Sequence, residues 1–185
     1  MSASYARSRK RSGMRPLTLA EARELLRQFV RETGASLDLV LIGGLALEGY
    51  GLDPRPTRDL DAEVVGPLSE LATFLQRHEF PADLGEDISP RSIIAMPPGY
   101  RERCSVLHEE PGLRVRLMAP LDFVIAKLRR GTDLDLQDAR AVALRFHVSA
   151  TQIHAATSAA IAASPKDTAL FLFERTVDRF CRELP

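Results

Sequence analysis

Apolar and polar positions alternate along this chain in blocks, and each block has a readable period. Ala22, Leu25, Leu26, Phe29 and Val30 fall at helical spacing behind Thr18-Leu19-Ala20-Glu21, a capping box that predicts where the helix begins. Gly34 predicts its end. Residues 37–42 read as a short apolar strand, 44–50 as a helical turn and 60–65 as a second strand, while Pro54 and Pro56 make 51–56 a loop. Pro67 opens a helix whose buried stripe is Leu68, Leu71, Phe74 and Leu75. Residues 81–87 read as turn-rich and acidic. Residues 93–96 read as a strand broken by Pro97-Pro98-Gly99, and 104–107 and 113–117 as a further pair of strands.

The last third of the chain has only helical periods. Pro120 opens a helix carrying Leu121, Val124, Ile125 and Leu128, and a second helix follows Gly131 over residues 134–146. Ser149-Ala150-Thr151-Gln152 is another capping box, starting an alanine-rich helix that Pro165 ends, and a final helix runs to Arg182. The predicted class is α+β: a small mixed sheet flanked by helices, with a helical C-terminal third. The expected organisation is a basic arm over 1–16, an α/β core over 17–118 and a helical part over 119–185 packed on that core.

A chain of 185 residues with 45% hydrophobic content is long enough to bury a real core. Lys+Arg equal Asp+Glu at 25 each, so global charge does not advertise nucleic-acid binding. Locally, Arg7, Arg9, Lys10, Arg11 and Arg15 precede the first helix with no acid among them. That pattern reads as a disordered basic arm, either a solvated tail or an RNA-touching one. It lacks the apolar centre of a secretory signal, and no run approaches membrane-spanning length. Cys104 and Cys181 show no metal-ligand spacing, which makes a reduced, cytoplasmic protein the expectation.

The chemistry concentrates in Leu41 to Val64. A strand ends at Gly43-Gly44, a helical turn follows, and Thr57-Arg58-Asp59-Leu60-Asp61 runs into the next strand. With Leu60 packed inward, period-two alternation sets Asp59 and Asp61 on the opposite face. Paired carboxylates repel unless a cation joins them, and hard oxygen ligands suit Mg²⁺, which also binds substrate phosphates. A Gly-Gly turn at a helix start offers backbone N–H groups to such phosphates. The bland alternative is the polar face of an edge strand beside a tight turn. A second constellation lies on the helices: Lys127, with its stem among apolar neighbours, and Asp135 and Asp138, three apart on one helical face. A lysine there could neutralise triphosphate charge, with the aspartates orienting it or a substrate group; alone, the three would be a structural ion pair or solvated charges.

Gly43, Gly44, Asp59 and Asp61, with Arg55, Thr57 and Arg58 as a basic lead-in, resemble the nucleotidyltransferase superfamily, in which a Gly-Gly or Gly-Ser turn precedes an Asp-x-Asp strand. With Lys127-Leu128 and Asp135–Asp138 added, the chain looks like the nucleotidyltransferases of bacterial abortive-infection and toxin–antitoxin systems. It is closer still to a small bacterial nucleotidyltransferase-like family, which the segment 99–103 and the strand from Gly112 also resemble. The resemblance covers residues 37–144 and implies a minimal nucleotidyltransferase fold. It implies Mg²⁺ or Mn²⁺ on Asp59 and Asp61, an NTP whose phosphates meet Gly43, Gly44, Thr57 and Arg58, and charge stabilisation by Lys127. Asp135 or Asp138 would position Lys127 or the acceptor. An RNA such as a tRNA, a protein or a small molecule would receive the nucleotide, and a cognate antitoxin or toxin could be a partner.

Two departures stand out. Many nucleotidyltransferases carry a third carboxylate on a later strand, where Leu113-Arg114-Val115-Arg116-Leu117 offers arginines, and Leu45 stands where toxin-like relatives often have a small hydroxyl residue. A catalytically inactive binding module is therefore the competing class. Arg101, Arg103, Arg114 and Arg116 could line a groove for an anionic ligand or form a solvated basic face. His78, His108, His147 and His154 show no metal spacing.

Overall fold

Thr18 caps the first helix, α1 (Leu19–Thr33), through its hydroxyl while Glu21 returns a carboxylate to the Thr18 amide, and Gly34 closes it in the left-handed conformation. These positions belong to a computed structural model that describes residues 16–53, 56–88 and 92–185. The basic arm, apart from Pro16, and Arg55 lie outside the described residues. The chain continues through β1 (Leu37–Leu41), α2 (Gly44–Gly49), β2 (Leu60–Val65), α3 (Leu68–Arg77), β3 (Ala82–Gly85), β4 (Ser105–Glu110) and β5 (Leu113–Leu117). The helices α4 (Pro120–Arg130), α5 (Asp133–Arg145), α6 (Ala150–Ala162) and α7 (Ala169–Arg182) complete it.

The class is α+β, as expected. The strands form one mixed sheet in the order β3-β2-β1-β5-β4, with β1 antiparallel to β2 and parallel to β5. Register decides which residues share a face. Leu39 lies opposite both Val64 and Val115, so the Leu37, Leu39 and Leu41 face is apolar across three strands. Helices α1 and α3 come together beside it through an edge-to-face pair, Phe29 and Phe74, with centroids 5.4 Å apart. The opposite face carries Asp61, Glu63, Arg114 and Arg116.

Tyr50, just after α2, ties the sheet half to the helical half. Its ring packs edge-on against Phe123 of α4 and Phe146 beyond α5, and its hydroxyl donates to the Met118 carbonyl at 2.9 Å. A single cluster of buried apolar residues runs from Ala22 to Cys181. None of the described helices is long and apolar enough to cross a membrane.

Two local expectations differ from the structure. Residues 82–85, read as acidic turn, form the edge strand β3: pairing with β2 supplies its order, and its exposed, short sequence carries no hydrophobic alternation. Residues 93–96, read as a strand, are irregular. Their backbone is held by side chains: Arg129 donates to the Ile94 carbonyl at 2.7 Å, and Ser164 accepts from the Ala95 amide at 2.8 Å.

Candidate functional site

The turn between β1 and α2 is glycine because of what presses on it. A Cβ on Gly43 would sit 2.6 Å from the Asp61 Cβ and 3.0 Å from its Oδ2, and one on Gly44 would sit 2.6 Å from the Thr57 hydroxyl oxygen. Neither glycine has a positive φ, so close approach is the reason for both. Asp61 is thereby held against the turn with 8% of its surface exposed, while Asp59 stands exposed just before β2. Thr57 is buried and tied to Leu17, whose amide donates to its carbonyl at 3.0 Å; Arg58 beside it is exposed.

The helical constellation assembles next to this turn. The Lys127 ammonium donates to Asp138 at 2.8 Å and to Asp135 at 3.3 Å, all three side chains being buried, and lies 5.3 Å from the Phe123 ring centroid. Asp135 follows Thr132, the N-cap of α5, whose hydroxyl accepts from the Asp135 amide and donates to its carboxylate at 2.6 Å. Burial alone would raise the Asp135 pKa. The Thr132 hydroxyl and the charges of Lys127 and Arg130 outweigh it and hold the carboxyl below its ordinary value.

Arg130 joins the two groups, and sequence reading passed over it. Its Nε donates to Asp135 at 3.1 Å, and its Nη1 stands 3.8 Å from Asp61 Oδ2. The available signal was its spacing, three residues after Lys127 on one helical face. Charges thus run in alternating sign from Asp61 through Arg130, Asp135 and Lys127 to Asp138.

Glu63 is a third carboxylate on the same face of β2 as Asp61, but it is engaged elsewhere. It accepts from the Ile88 amide and the Tyr100 hydroxyl, each at 2.5 Å, and from two nitrogens of Arg101 at 3.2 Å. It anchors the segment 92–103 over the sheet. The four arginines that could have lined a groove are each paired instead: Arg101 with Glu63 and Asp87, Arg103 with Asp122, Arg114 with Glu109, and Arg116 with Asp38. Asp122, in the first turn of α4, is buried, and its two carboxylate oxygens accept from Arg103 at 2.8 Å.

The donor set decides which metal chemistry fits. Among the described residues, no group of three or more His, Cys, Asp or Glu side chains could hold a metal ion by itself. Were Asp59 and Asp61 to act as ligands, their two hard oxygen donors would suit an ion that keeps waters and binds substrate phosphates, as Mg²⁺ does. They would not suit a closed protein cage. A broad surface concavity lies elsewhere, between α3 and β3, lined by Leu68, Ala72, Phe80 and Leu84. A narrower crevice beside the site is lined by Ile42, Ile88, Lys127, Arg129 and Arg130.

Comparison with known proteins adds one finding. A family model described as a nucleotidyltransferase of unknown function (DUF6036) matches residues 18–177. No curated protein and no solved structure matches the chain.

Proposed function

The chain belongs to this family of nucleotidyltransferases of unknown function, and from that membership we propose that it transfers a nucleoside monophosphate from an NTP to an acceptor hydroxyl. The observation that carries the reading is Asp61, pressed into the Gly43-Gly44 turn with Asp59 exposed beside it and the Arg130 guanidinium 3.8 Å away. In this reading Asp59 and Asp61 hold Mg²⁺ or Mn²⁺. The ion would neutralise charge on the triphosphate as the bond from the α-phosphorus to the bridging oxygen breaks and pyrophosphate leaves.

The residues of the chain have distinct tasks. Gly43 lets the turn pack directly on the Asp61 side chain, and Gly44 lets it pack on Thr57. Arg58, exposed at the entry to β2, is open to the phosphates. Lys127, Asp135 and Asp138 are committed to one another inside the protein, which supports a positioning role: they lock α4 to α5 and so set where Arg130 reaches. Acceptors of the expected kinds are RNA, a protein or a small molecule, and association with an antitoxin or toxin belongs to the same proposal.

The test is incubation of the full chain with each labelled NTP, Mg²⁺ or Mn²⁺, and total cell RNA or protein. Label entering one pool, and lost in Asp61→Asn and Asp59→Asn, is the expected result. A second reading, an inactive binding module, draws on the burial of Lys127 and both helical aspartates. No label in any pool, no stabilisation by metal and NTP, and co-purification of a partner would establish that reading instead.

A further inference from the structure

Lys127 presents little of itself to a ligand: its side chain is 3% exposed, and two carboxylates lie within 3.3 Å of its ammonium. Arg130 differs on both counts. Its side chain is 45% exposed, and its Nε alone is bonded to Asp135, 3.1 Å away. Its Nη1 stands 3.8 Å from Asp61, beyond hydrogen-bond distance. A guanidinium anchored by one edge keeps a planar fork of donors for a second anion.

We propose that Arg130 is a nucleotide-binding residue that rests on Asp61 in the free protein and turns its outer nitrogens to the triphosphate when the nucleotide arrives with its metal. The proposal rests on the nucleotidyl-transfer reading and assigns it a residue that neither the Gly-Gly turn nor the Asp-x-Asp strand contains. The physical reason is a competition of charges. A divalent cation on Asp61 repels the guanidinium nearby, so metal alone and Arg130 oppose each other. A triphosphate bound with the metal brings anionic oxygens that attract the guanidinium, so metal–nucleotide and Arg130 cooperate. Asp135, held by Thr132 and Lys127, keeps the pivot fixed through the exchange. Arg130 thereby guards the carboxylate when the site holds no nucleotide and clamps the nucleotide when it does.

The test measures Mn²⁺ binding alone, and binding of each of the four NTPs with Mn²⁺, to the full wild-type chain, Arg130→Gln and Arg130→Lys by calorimetry. Arg130→Gln should bind Mn²⁺ alone more tightly than wild type and Mn²⁺–NTP at least about fivefold more weakly, in the range of ordinary site-to-site coupling. A merely structural role would weaken both together, so the opposite signs are diagnostic. Arg130→Lys keeps a positive charge and preserves folding if the glutamine variant does not. Its ammonium is a point charge without the planar fork that spans Asp135 and a phosphate, so its Mn²⁺–NTP affinity should also fall. Binding of Mn²⁺–NTP to both variants as tightly as to wild type would overturn the role of Arg130 while leaving the proposed function standing. Wild-type protein that binds neither metal nor any NTP would overturn both.

Discussion

The Lys127 ammonium lies 2.8 Å from a carboxylate oxygen of Asp138, with both side chains only 3% exposed. Such a pair joins α4 to α5 in the interior, where its removal is felt more than its presence. Lys127→Met would leave Asp135 and Asp138 buried beside an apolar group, at a cost of about 3–5 kcal/mol. Urea unfolding checks this. The double variant Lys127→Met, Asp138→Leu should recover part of the loss, because it removes the uncompensated charge along with the lysine. A single variant as stable as wild type would show that packing, and not the ion pair, holds the two helices together.

Asp135 connects stability to acid. Its folded pKa is depressed, so its contribution is fully present above the unfolded value of about 3.9 and is lost as pH falls through the folded value. Stability measured by urea should therefore drop below about pH 4. Asp135→Asn should be less stable at neutral pH and show a flatter acid limb. An unchanged acid limb in that variant would assign the sensitivity to other carboxylates.

Gly43→Ala separates packing from backbone freedom. Its Cβ meets the Asp61 Cβ at 2.6 Å, so Asp61 or the turn must move, at a cost of about 1–3 kcal/mol. Nucleotide binding should fall with it. Gly51→Ala is the control: φ is +70° with nothing within 4 Å, so strain of about 1–2 kcal/mol arises without pressing on the carboxylate. Comparable destabilisation with retained nucleotide binding is expected there. Thermal melts with and without Mg²⁺–NTP compare the two.

Glu63→Gln tests the anchor of the segment 92–103. Gln keeps the shape but loses the charge that Arg101, Tyr100 and the Ile88 amide all address. Hydrogen bonds to a charged group contribute about 1.5–3 kcal/mol each, so a loss of about that size is expected. Limited proteolysis should then cut faster between Ser92 and Arg103. An unchanged cleavage rate would show that the Arg103–Asp122 pair holds the segment without Glu63.

How much of this was legible beforehand depends on the range of each interaction. Both capping boxes, the Gly34 and Gly131 helix ends and the strand pair Leu37–Leu41 and Leu60–Val65 were readable, because their signals lie within a few residues. Strand β3 was not, since an exposed four-residue edge owes its order to β2. The expected strand at 93–96 failed for a related reason: its apolar side chains are real, but Arg129 and Ser164 take its backbone hydrogen bonds.

For the candidate site, the chain alone determined which groups are present: two glycines at a turn, an Asp-x-Asp entering a strand, and a lysine followed by paired aspartates at helical spacing. Periodicity, a local property, placed each on its element. Only the tertiary structure decided what those groups do to one another. It pressed Gly43 onto Asp61, consumed Lys127 in a buried ion pair, diverted Glu63 to a loop and neutralised the sheet arginines one by one. It also brought Arg130 between Asp61 and Asp135, residues 69 positions upstream and five downstream in the chain. Charge interactions act through space over a few ångströms, and the packing of α4 against its neighbouring helices helps to set those distances.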